Sequence, residues 1–287
     1  MTTQTKPVVD LSSFPTDDGK PLAETYRNGT QMLDLLFVFY RLMEAQGRTR
    51  FTVGGNQFLY YNPLNRRENL APDVFVALDV APGPRDVWFT WEEGKCPDVV
   101  FEISSPSTEK NDLGTGPKGK LRIYAELGAR EYYVYDPQLV MQPILKGFEL
   151  RQGRFAPLPM DASGGIMSPL LRAELRPMPM AGVGDRLPGT YLRVIDARTG
   201  QPFPVPEELQ HDYEGLQHDY EGLQHDYVVT QQRLSAEQQA RLAEQQARYE
   251  AERAQQAAEQ RAVQAEAELE QLRAALARQH DSPPDQA

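Results

Sequence analysis

The forty residues from Pro97 to Asp136, PDVVFEISSPSTEKNDLGTGPKGKLRIYAELGAREYYVYD, constrain the fold more than any other stretch of the chain. Val99–Ile103 and Tyr132–Tyr135 are short apolar runs rich in β-branched and aromatic residues, and each reads as a buried strand. Between them lie a Ser/Pro/Thr turn and a helical segment, Leu121–Leu127, that stops at Gly128. Strand, helix and strand in succession call for a sheet with a helix on its face. The first strand carries one acid, Glu102. A carboxylate inside a buried strand is costly unless a metal or a cationic partner offsets it, so Glu102 is the first residue to explain.

The surrounding sequence extends this pattern. Residues 1–20 are polar and punctuated by proline, which predicts a loosely held lead. Met32, Leu35, Leu36, Val38, Phe39, Leu42 and Met43 recur at helical spacing, predicting a helix from Gln31 to Ala45 that ends at Gly47. Strands are expected at Arg50–Val53, Gln57–Tyr61, Val74–Leu78, Val87–Thr90 and Val99–Ile103. Residues 147–158 read as a hairpin turning at Gln152-Gly153. Residues 159–206 are rich in Pro and Gly, with short strands such as Tyr191–Ile195. The body, residues 21–206, is therefore expected to be an α/β domain built on a mixed sheet.

The chain changes character at Pro206. LQHDYEG, LQHDYEG and LQHDYVV begin at Leu209, Leu216 and Leu223. Leu209, Tyr213, Leu216, Tyr220, Leu223 and Tyr227 then alternate at spacings of four and three, the seam of a coiled coil. Beyond Leu234 the sequence is an Ala/Gln/Glu/Arg mixture that favours a long solvated helix. A helical tail is expected over 207–280, with a frayed end at 281–287. His211, His218 and His225 each stand beside an Asp and could line one side of this helix as metal ligands. The favoured reading is that they ride passively in a duplicated heptad.

Composition narrows the chemistry. The only histidines are His211, His218, His225 and His280, so the body contains none. That excludes Ser-His-Asp and Cys-His catalysis, HExxH zinc hydrolysis and zinc deaminase chemistry from the main domain. The single cysteine, Cys96, allows neither an internal disulfide nor a cysteine cage for zinc. What remains is Asp, Glu, Lys, Tyr and a hard metal, for which Mg²⁺ is suited. Residues 207–287 hold 17 acids and 7 bases, so the tail carries −10 of the net −11. The body is close to neutral, and its charge argues neither for nor against a nucleic-acid substrate. No apolar run is long enough to span a membrane, and the N-terminus lacks the regions of a signal peptide, so a cytoplasmic location is expected.

Asp73 and Glu102 form the candidate site. Asp73 precedes the Val74–Leu78 strand, and Glu102 lies near the end of Val99–Ile103. If these strands run antiparallel, the two carboxylates meet at one sheet edge. Two carboxylates so placed repel one another unless a divalent cation bridges them. Asp98, in the second Pro-Asp pair, would lie at the opposite end as a strand-entry residue. A lysine would complete the set by orienting water and stabilising charge that develops on phosphate. Ser104, not lysine, stands two residues after Glu102. Lys110, Lys118 and Lys120 are the next candidates, and Lys120, one turn before Tyr124, is the favoured one. The alternative is that Asp73 caps a turn, Glu102 meets an arginine in a structural ion pair and Lys120 is solvated.

The segments VGGNQFLYYNP, APDVFVALDV, WEEGKCPDVVFEISSPSTEKNDLG and KGKLRIYAELGAREYYVYDP resemble the Uma-type family of restriction endonucleases. That family belongs to the PD-(D/E)XK nuclease superfamily. The resemblance runs over about residues 22–200, and the series EISSPST, DLG, K, Y and EYYVYDP carries it. It implies a restriction-endonuclease-like mixed β-sheet flanked by helices, and Mg²⁺- or Mn²⁺-dependent hydrolysis of DNA. By the same resemblance Asp73 is the Pro-Asp acid, Glu102 the strand acid and Lys120 the lysine, displaced from the strand to the next helix. Glu24, ahead of the first helix, would add a carboxylate. Two departures stand out. Thr115-Gly116-Pro117 lengthens the link to the lysine, leaving Lys118 and Lys120 as rivals. Tyr26-Arg27 lacks the histidine that relatives carry before the arginine.

Three functions compete. The first is a metal-dependent DNA endonuclease, acting as a homodimer because the heptads need a partner helix and a duplex has two strands to cut. The second is a catalytically silent DNA-binding or scaffold protein that works through its coiled coil. The third, a two-carboxylate glycosidase, is weakest, because sugar sites usually add aromatic platforms and these acids come with a lysine suited to phosphate.

Overall fold

The computed structural model describes residues 9–16, 25–179 and 189–280, with side chains in the last stretch to residue 274. After a 3-10 turn at Leu11–Ser13, the elements are α1 (Tyr26–Ala45), β1 (Phe51–Gly54), β2 (Leu59–Tyr60), β3 (Asn69–Leu70), β4 (Val74–Leu78), β5 (Trp88–Phe89) and α2 (Thr90–Glu93). There follow β6 (Val99–Ile103), α3 (Glu109–Asp112), α4 (Lys120–Glu126), β7 (Glu131–Tyr135), β8 (Leu145–Arg151) and β9 (Arg154–Pro157). The chain closes with β10 (Ile166–Ser168), β11 (Ala173–Pro179), β12 (Thr190–Asp196) and α5 (Pro206–His280).

A six-stranded sheet in the order β1-β4-β6-β7-β8-β9 forms the centre. Its one parallel pair is β6–β7, the pair joined through α3 and α4; the other neighbours are antiparallel. This is the mixed sheet expected from the sequence. The central strands β4, β6 and β7 are buried along their whole length, which explains their unbroken apolar runs. On one face α1 packs through Leu35, Val38, Phe39, Leu42 and Met43. Phe39 meets Phe101 at 4.8 Å between ring centroids, and Phe101 stacks on Tyr133 at 4.7 Å. On the other face Phe75, Val100, Tyr124, Tyr132 and Val134 build a second core with Trp88.

Several elements differ from expectation for identifiable reasons. The first helix starts at Tyr26, earlier than its apolar periodicity, because Thr25 caps it: the Thr25 hydroxyl oxygen accepts the Asn28 N–H at 3.3 Å. The expected strand Gln57–Tyr61 shortens to β2, which pairs with β3 and β5 in a small separate sheet. The Pro/Gly-rich stretch after residue 159 holds a third sheet, β10-β11-β12, with two seven-residue strands. Pro177 and Pro179 concealed β11. They are tolerated because β10 pairs only with residues 173–175, so this end of β11 has β12 alone as a neighbour. The β8–β9 hairpin turns as expected at Gln152 (φ 51°) and Gly153 (φ 76°), the positive-φ pair that a two-residue turn requires.

The chain divides into two compact units, Met1–Gln210 and His211–Ala287. In the second, α5 continues to His280 as a single helix whose Leu216 and Leu223 are each 69% exposed, and the end expected to fray, 281–287, lies outside the described residues. No helix among the described residues is long and apolar enough to cross a membrane.

Candidate active site

Strands β4 and β6 run antiparallel, with Val74 opposite Phe101. One position further on, Asp73 reaches the end of β6, where its Oδ2 accepts the Ile103 N–H at 2.6 Å. At the other end of the same pair Asp98 accepts the Leu78 N–H at 2.7 Å and pairs with Lys95 at 2.6 Å. The two Pro-Asp acids thus sit at opposite ends of one strand pair. Asp73 lies at the Glu102 end and Asp98 at the far end.

Glu102 is 1% exposed and lies on the face of β6 that looks toward α4. Its partners come from one helical turn. Lys120 and Tyr124 are four residues apart on α4, so both side chains fall on one side of the helix. Lys120 Nζ lies 2.7 Å from Glu102 Oε2, and the Tyr124 hydroxyl donates to Glu102 Oε1 at 3.1 Å. Lys120 also meets Asp112 Oδ1 at 2.9 Å. Asp112 in turn accepts the Ser104 hydroxyl at 3.0 Å through Oδ2, and its backbone carbonyl accepts the Tyr132 hydroxyl at 2.8 Å.

The charges respond to this enclosure. Burial pushes the Glu102 carboxyl up; Lys120 works against the shift, while Asp73 and Asp112 add to it. Burial works to lower the Lys120 ammonium, but Glu102 and Asp112 outweigh it and hold the group above its ordinary range. The lysine is therefore kept charged although it opens a helix, an end where a cation is unfavourable.

The structure brings Asp73, Glu102 and Lys120 to one end of the β4–β6 pair. Lys118 stands apart, exposed on the loop before α4. Ser104, in the position where a strand lysine would fall, turns to Asp112 instead. Glu24 lies outside the described residues. Sequence reasoning missed Asp112. It sits on a four-residue helix with no periodicity to mark it, and only its place in the DLG series hinted at a role.

A cavity of ≈ 440 Å³ opens at this end of the sheet. Asp73, Asp112 and Lys120 line it with Thr25 and Asn28 of the α1 terminus and Ser105 of the following turn; Glu102 lies out of its lining, in contact with Lys120. Among the described residues no group of three Asp, Glu, His or Cys side chains is arranged to hold an ion by itself. Mg²⁺ does not require such a cage, because it keeps several waters and is held by one or two carboxylates together with substrate phosphate. The donor set is all oxygen: Glu102 and Asp112 meet the Lys120 ammonium, and Asp73 lines the same cavity as Asp112. This chemistry fits a hard divalent ion.

A mixed sheet flanked by helices, with an acid pair and a lysine at one end of its central strands, defines a protein of restriction-endonuclease-like fold. The chain belongs to the Uma2 family, described as "Putative restriction endonuclease", whose profile matches residues 17–179. No match was found among curated proteins.

Proposed function

We propose that this chain is a DNA endonuclease that hydrolyses phosphodiester bonds with a divalent ion, Mg²⁺ or Mn²⁺. The observation that carries the proposal is the Lys120 ammonium, 2.7 Å from Glu102, on the wall of a cavity that it shares with Asp73. Asp73 and Glu102 would hold the ion, with Asp112 beside them. The chemistry a bound divalent ion supplies is neutralisation of phosphate charge and acidification of a water. Lys120 would donate hydrogen bonds to the attacking water and to the phosphate oxygens as charge develops. Asp112 positions Lys120, Ser104 positions Asp112, and Tyr124 holds the Glu102 carboxylate.

The test is cleavage of supercoiled plasmid with Mg²⁺ or Mn²⁺ by the parent and by Asp73→Ala, Glu102→Gln and Lys120→Ala. Cleavage by the parent, lost in all three, supports the proposal. A parent that neither cleaves nor binds either ion by calorimetry overturns it.

One observation favours a second reading. Lys120 already pairs with both Glu102 and Asp112, so the cluster could serve as structural glue in a silent DNA-binding protein. Ion binding separates the two, because a purely structural cluster would bind neither metal.

We further propose a homodimer formed through α5. Its support is the exposed seam of Leu209, Tyr213, Leu216, Tyr220, Leu223 and Tyr227. Sedimentation of the full chain should give a dimer, and Leu216→Asp/Leu223→Asp should give a monomer. A monomeric parent would overturn this.

A further inference from the structure

Asp112 and Lys120, bridged at 2.9 Å, close the base of the loop 113–119. The loop is stiff. Gly116-Pro117-Lys118-Gly119 is a β-turn, closed by the Gly119 N–H donating to the Gly116 carbonyl at 2.9 Å, with proline in the position whose φ it pre-sets. Gly119 packs so closely on Gly114 that a Cβ there would lie 2.0 Å from the Gly114 carbonyl oxygen. Lys118 is thereby carried at the turn's apex. Lys110, on α3 two residues before Asp112, lines the same open depression of ≈ 480 Å³, and no acid lines it. Both lysines are exposed, and among the described residues neither has an ion pair. Lys95 and Lys120, by contrast, are each paired with an acid.

Two unpaired ammoniums facing one depression beside an acidic site, Lys118 on the rigid loop and Lys110 on the short helix that precedes it, suit a ligand that brings repeated negative charge. We propose that Lys110 and Lys118 each contact a backbone phosphate of duplex DNA and hold the strand against the Lys120 cavity. The inference rests on the endonuclease reading for its ligand. It concerns sequence-independent positioning, because phosphate contacts fix register without reading bases.

The test is binding of a fluorescent DNA duplex to the full chain in EDTA, followed by anisotropy across a salt series. Lys110→Ala/Lys118→Ala should weaken binding tenfold or more at about 0.1 M salt, and reduce the slope of log K against log salt by about 1 per lysine. Lys110→Arg/Lys118→Arg should restore both, whereas Lys146→Ala, on β8, should change neither. A double alanine variant that keeps the parent's affinity and slope would overturn the inference, as would an equal loss in Lys146→Ala. Plasmid cleavage by the parent, measured alongside, keeps the two proposals apart. Loop-dependent binding by a parent that neither cleaves nor binds Mg²⁺ or Mn²⁺ sinks the endonuclease and leaves the phosphate contacts standing. Cleavage with loop-independent binding does the reverse, and a parent that does not bind the duplex overturns the loop inference.

Discussion

Lys120 Nζ sits 2.7 Å from Glu102 Oε2 although the two residues are 18 apart, one opening a helix and the other next to last in a strand. Because Glu102 is buried, each charge depends on the other, and removing one partner is more damaging than removing both. Lys120→Met is expected to destabilise the fold by about 3–5 kcal/mol. Lys120→Met/Glu102→Gln should recover part of that loss. Urea unfolding of the singles and the double closes the cycle, and additive losses would contradict the coupling.

Glu131 is another buried acid, one that serves structure. It accepts the Ser168 hydroxyl, the Tyr133 hydroxyl at 2.8 Å and the Leu170 N–H at 2.8 Å, tying β7 to the β10–β11 segment. Burial raises its pKa, and Ser168, Leu170 and Tyr133 oppose that shift. Glu131→Ala orphans these donors and should cost about 3 kcal/mol, measured by chemical denaturation.

Asp34 on α1 should set part of the pH dependence of stability. Burial pushes its carboxyl up to about 6; Arg193 opposes this, and Glu207 and Glu208 add to it. The folded pKa is raised, so the contribution of Asp34 is fully present below its unfolded pKa and is lost as pH rises toward 6 and above. Asp34→Asn should stabilise the protein at pH 7 by about 1 kcal/mol, allowing for solvent screening. It should also flatten the melting temperature between about pH 4 and pH 7. A variant less stable than the parent at pH 7 would count against this.

The loop glycines should separate by context. A Cβ on Gly116 meets nothing within 4 Å, whereas one on Gly119 collides with backbone. Gly116→Ala should shift stability by no more than about 0.5 kcal/mol, and Gly119→Ala should lower it by about 2 kcal/mol, as thermal melts would show.

The amino-acid sequence alone determined the strands that make the centre of the sheet. Val74–Leu78 and Val99–Ile103 were legible to the residue, because fully buried strands are written as short apolar runs bounded by Pro-Asp. It also singled out Glu102, since an acid inside such a run demands a partner, and it marked the heptads of the tail. It left Lys118 and Lys120 as rivals and passed over Asp112. Only the tertiary structure shows which lysine meets Glu102: α4 starts at Lys120, and its i,i+4 geometry aims that residue with Tyr124 at Glu102, while the turn at Gly116–Gly119 carries Lys118 outward. Nor could local pattern reveal that Glu131 would meet Ser168, or that the proline-bearing β11 would pair with β12. These contacts join residues far apart in the chain, and it is the packing of whole elements, not the propensity of any segment, that brings them within hydrogen-bonding reach.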